Sequence, residues 1–74
     1  MKCYNRDEVM AYMETVYTKY VDIENNEINC DALARDAMCK FTGMSPKQYG
    51  TRETFELGWH FFSMALDIET LHFP

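Results

Sequence analysis

From Val9 onward, apolar residues return at intervals of four and three: Val9, Met13, Val16, Tyr20 and Ile23. Met10, Tyr17 and Val21 widen the stripe, while Glu8, Ala11, Glu14, Thr15, Thr18 and Asp22 fall opposite it. That spacing follows the turn of an α-helix and predicts an amphipathic helix over about 6–23. Asn5 stands before it as an N-cap, and Glu8 three residues later completes a capping box. The stretch ENNEIN, residues 24–29, has the composition of a turn and ends that helix. A second stripe of Cys30, Leu33, Ala34, Ala37, Met38 and Phe41 leaves Asp31, Arg35, Asp36 and Lys40 to solvent, and predicts a helix over about 30–41. Asn29 caps it, with Ile28 stapled against Leu33.

Gly43 suits the left-handed position that closes a helix, with Met44 folding back on Met38 or Cys39. Ser45, Pro46 and Gln48 then form a second capping box, so a short helical turn is expected at 46–49. Gly50 breaks the chain again, Thr51 is placed to cap a third helix over about 52–71, and Glu53 complements its dipole. The whole chain, 1–74, reads as a single all-α, three-helix domain.

The third helix carries an excess. Phe55, Gly58, Trp59, Phe62, Ala65 and Leu66 occupy one face, and Leu57, Phe61, Met64, Ile68 and Leu71 occupy another, leaving a narrow polar stripe of Glu56, His60, Ser63, Asp67 and Thr70. Phe55, Trp59, Phe61 and Phe62 alone represent roughly 600–1,000 Å² of side-chain surface. Two helices of ordinary amphipathicity do not easily wrap that much. The expectation is that Leu57, Phe61, Met64 and Ile68 face the chain's own core. Phe55, Gly58, Trp59, Phe62 and Leu66 then form an interaction surface, either the two-fold interface of a homodimer or a groove for a host protein.

Composition narrows the function classes. The chain is 47% hydrophobic and 15% aromatic, enough to fold, and its uninterrupted apolar runs are too short to span a bilayer. The start MKCYNRDEV lacks the apolar stretch of a secretory signal, which points to the cytoplasm. Cys3, Cys30 and Cys39 are an odd number without a C-x-x-C pair, so reduced thiols are expected. With His60 and His72 they match no zinc spacing, so no metal or other cofactor is expected. Glu56 and His60, four residues apart, read as surface electrostatics rather than an acid–base pair. No nucleophile elbow or glycine-rich phosphate loop is present, and no enzymatic activity is expected. The net charge of −5 disfavours nucleic acid as a partner.

The stretch FTGMSPKQYG, Phe41 to Gly50, resembles the closing segment of AraC-type DNA-binding domains, where a helix runs into a Gly-apolar-Ser-Pro turn and then a Tyr. What the resemblance implies is a helix-turn corner. Gly50 stands where that family usually has a basic residue, and no recognition helix rich in Arg, Lys, Asn or Gln precedes it. The general make-up, acidic and bearing Cys and Met, with DALARDA leading into TGMSPKQYG, is similar to small accessory proteins of lambdoid phages and prophages. That similarity implies a non-enzymatic modulator of a host process acting by protein–protein contact. Two alternatives stay open: a DNA-associated, helix-turn-helix-like regulator using Lys47 and Arg52, and an acidic decoy of a nucleic-acid-binding protein using Asp7, Glu8, Glu14 and Asp22.

Overall fold

The structure, a computed structural model, describes residues 4–74; Cys3 lies outside that range. Helix α1 spans Arg6–Val16 and is followed by a 3-10 turn at Tyr17–Tyr20. Strands β1 (Val21–Asp22) and β2 (Glu27–Ile28) form a small antiparallel hairpin with Val21 opposite Ile28. Helix α2 spans Cys30–Thr42, a second 3-10 turn covers Pro46–Gln48, and α3 runs from Phe55 to His72. Three helices packed on one core make the architecture, as the periodicity predicts.

The first helix is shorter than its apolar spacing suggests. It ends at Val16, not near Ile23, because TVYTKYV concentrates β-branched and aromatic residues that lose rotamer freedom in a helix and suit extended backbone. Thr15 adds to this by turning its hydroxyl back onto the Tyr12 carbonyl at 2.7 Å. The turn-rich ENNEIN segment forms the tip and second strand of the hairpin. Asp22 accepts from the Asn25 backbone and side-chain amides, and Asn26 takes the left-handed conformation (φ 53°) that asparagine tolerates. Ile23 therefore leaves the expected core stripe and stands 88% exposed at the hairpin tip.

The second helix matches its predicted face, with Cys30, Leu33, Ala34, Ala37 and Met38 buried and Phe41 half-buried. Asn29 caps it by accepting from the Ala32 amide, and Gly43 closes it with φ 77°, its backbone N–H donating a hydrogen bond to the Cys39 carbonyl. Asn5 caps α1 through the amides of Asp7 and Glu8. Gln48 returns its side-chain oxygen to the Ser45 amide at 2.9 Å, the reciprocal bond of a capping box. At the start of α3 the expected cap is displaced. The helix begins at Phe55, three residues later than Arg52, and Thr54 rather than Thr51 occupies the N-cap position. Both threonine hydroxyls instead turn back to the Gln48 carbonyl and meet each other at 2.9 Å, which holds residues 51–54 as a knot of turns.

Val9 and Met13 from α1, Leu33 and Met38 from α2, and Phe61 and Ile68 from α3 are fully buried and form the centre of the core. One carboxylate ties the early part of the chain to α2. Asp36 accepts hydrogen bonds from both the Tyr12 and Tyr20 hydroxyls, so α1 and the 3-10 turn after it are fixed to the same helix. At the far end, His72 Nε2 meets the Glu14 carboxylate at 2.9 Å while its ring stacks on Tyr17, centroids 4.4 Å apart.

Burial, with the hydrogen bond to Asp36, pushes the Tyr12 phenol up to about 12; for Tyr20 the bond to Asp36 leads and burial adds, again to about 12. The folded state thus holds these protons more tightly than an unfolded chain does. Their stabilising contribution is complete below the ordinary tyrosine range near pH 10 and is lost as pH rises through about 12. Denaturant titrations between pH 8 and about 12 should show stability falling over that window, and the fall should flatten in the Tyr12→Phe, Tyr20→Phe double variant. At neutral pH, Asp36→Ala strands two half-buried hydroxyls and should cost about 1–3 kcal/mol by chemical denaturation.

Candidate protein-interaction site

Helix α3 divides its two apolar faces between the core and solvent. Phe61, Met64, Ala65 and Ile68 are buried, and Leu57 is half-buried. On the other side Phe55 is 69% exposed and Trp59 55% exposed, with Leu66 also exposed and Phe62 half-buried beside them. Trp59 and Phe62 stack with ring centroids 5.7 Å apart, so the outward aromatics form a joined surface. Leu71, on the same face as Phe61 in the sequence pattern, stands exposed in the last turn.

A groove of about 320 Å³ opens along this face between Tyr49, Phe55, Trp59 and Phe62. Its floor is Gly58, which is buried under the Tyr49 ring rather than presented to a partner helix. A Cβ on Gly58 would meet that ring at 3.5 Å, an ordinary van der Waals distance, so the close approach is by the chain's own tyrosine. The corner chemistry explains why Tyr49 is there. Gly43 stops α2, Pro46–Gln48 makes one turn, and the chain then lays Tyr49 over the start of α3 with its hydroxyl 3.2 Å from Asp31. Burial, followed by the Asp31 charge, raises the Tyr49 phenol to about 12, so it remains a neutral donor at physiological pH.

Asp31 and Phe62 also line an adjoining groove of about 390 Å³, which continues past Leu66 to Asp22, Glu27 and Glu69. Glu69 there accepts from the Ile28 amide at 2.9 Å. Cys30 lies in the same wall, but burial, followed by the Glu69 charge, pushes its thiol up to about 11 and leaves it a poor nucleophile. Cys30 and Cys39 are both free thiols.

No family model, curated protein or solved structure matches this chain.

Of the five residues expected to form the interaction surface, Phe55, Trp59, Phe62 and Leu66 share one face, and Gly58 supports them from beneath. Sequence reasoning missed Tyr49 and Asp31 as walls of the groove; Tyr49 belongs to a turn and Asp31 to the solvent side of α2, and only the packing of the corner on α3 joins them. Lys47 and Arg52 are both exposed around that corner. His60 and Glu56 are exposed too, and among the described residues no hydrogen bond joins them. No described helix is long and apolar enough to cross a membrane.

The division between faces is open to measurement. Phe61→Ala should destabilise the protein by about 3–5 kcal/mol, whereas Trp59→Ala should cost about 1 kcal/mol or less. Equilibrium denaturation of the two variants checks both values; equal losses would place Trp59 in the core.

Proposed function

We propose that this protein is a small non-enzymatic interaction module that works through the outward aromatic face of α3, in the manner of a phage or prophage accessory protein modulating a host process in the cytoplasm. The observation that carries this reading is the exposure of Phe55 and Trp59 on a regular helix whose opposite side buries Phe61, Met64, Ala65 and Ile68 in the core. Large aromatics left in water along a groove are costly for a free protein and are the usual anchors of protein–protein interfaces. Among the described residues the groove brings together a single carboxylate and a neutral tyrosine rather than the paired acid and base of an active site.

The same stacked Trp59–Phe62 pair favours a second reading, a two-fold homodimer closed over that face. Contact with nucleic acid through Lys47 and Arg52 would rest on two cations in a chain of net charge −5, which gives little phosphate neutralisation.

Affinity capture from the native host with wild-type and Trp59→Ala baits tests the module: specific protein partners should be retained by the first and lost by the second, with circular dichroism unchanged. Light scattering at tens of micromolar separates the dimer, in which Trp59→Ala should weaken self-association by about 2–4 kcal/mol.

A further inference from the structure

Building on that docking face, we infer that its groove receives an arginine side chain from a basic protein partner. The walls Tyr49, Trp59 and Phe62 are aromatic, and among the described residues the only charged group lining the groove is Asp31. A guanidinium combines a flat face that stacks on aromatic rings with a fork of donors that pairs with a carboxylate, and this site offers both partners together. The volume, about 320 Å³, suits one long side chain rather than a whole helix.

Further observations bear on the sign of the partner. The adjoining groove adds Asp22, Glu27 and Glu69, so among the described residues the two grooves together are lined by four carboxylates and no Lys or Arg. Among the described residues the ion pairs lie elsewhere, Arg6 with Asp67 and Glu14 with His72. Arg35 lies 5.8 Å from the centre of the Tyr49 ring, and Gly58 packs beneath that ring, so the rings left for an incoming guanidinium are those of Trp59 and Phe62. Asp31 spends one oxygen on the Tyr49 hydroxyl, which leaves its other oxygen for a cationic donor. A second copy of this chain is a poorer occupant, because closing two such faces on each other brings acidic rim against acidic rim.

Trp59 is the sole tryptophan of the chain and stands in the groove, so its fluorescence reports occupancy directly. The probe is a capped peptide, Gly-Leu-Arg-Leu-Arg-Gly, compared with the same peptide carrying lysine or the neutral isostere citrulline in place of arginine. The arginine peptide should give a saturable change. The citrulline peptide should bind about tenfold more weakly, and Asp31→Asn should reduce the arginine peptide to that level while leaving the citrulline peptide unmoved. The lysine peptide should fall between them, and Asp7→Asn, remote from the groove, should change nothing. Equal binding of arginine and citrulline peptides, or indifference to Asp31→Asn, overturns the inference. If such charge-blind binding is lost in Phe55→Ala by calorimetry, the docking face survives without it. If no peptide binds and light scattering shows a dimer that Trp59→Ala splits, a second copy fills the groove and the arginine assignment is wrong. If no peptide binds to a monomer, the assignment is equally overturned.

Discussion

Phe61 is fully buried at the middle of α3, its ring 4.7 Å from that of Tyr4, and it fixes which side of the longest helix faces inward. Met64, Ala65 and Ile68 follow on the same side, one helical turn after another, and meet the buried faces of α1 and α2. Once that side is committed, the period of the helix leaves Phe55, Trp59 and Leu66 pointing away. The exposed aromatics are therefore a geometric consequence of the core. Covering them would need a further element, and the hairpin and the Pro46–Gln48 turn reach only the margins of the face.

Those margins matter because of what they bring. The turn after α2 contributes Tyr49, and the first turn of α2 contributes Asp31, so the groove is assembled from three places in the chain. The hairpin supplies Asp22 and Glu27 to its extension. An apolar stripe alone would be a sticky surface with little selectivity. If the groove receives a partner as proposed, carboxylates at its edge add discrimination by sign, since a like-charged segment meets repulsion and loses hydration without return.

Much of this was legible in the residue pattern where one local signal decided the outcome. The face of α2, its closure at Gly43, the Ser45–Gln48 box and the inward set of Phe61, Met64 and Ile68 all follow from periodicity and capping chemistry. The end of α1 did not, because Tyr17 and Tyr20 recur at a spacing that a 3-10 turn satisfies as well as an α-helix does. The start of α3 moved to Phe55 because the Gln48 carbonyl competes for the hydroxyls of Thr51 and Thr54, a partner that local propensity does not weigh. Tyr49 and Asp31 were invisible as a pair for a simpler reason: they are 18 residues apart and meet only through the corner.

The division of α3 also bears on how such a chain changes over generations. Positions 61, 64, 65 and 68 are buried in the core, whereas 55 and 59 are more than half exposed and 66 lies at the edge of the outward face. If the outward face is the docking surface proposed above, replacements there escape most of the requirement to preserve packing, and that face drifts, trades one target for another, or falls silent while the bundle persists. Descendants compared by that face would look unrelated, and their kinship would be found only in the spacing of the buried residues.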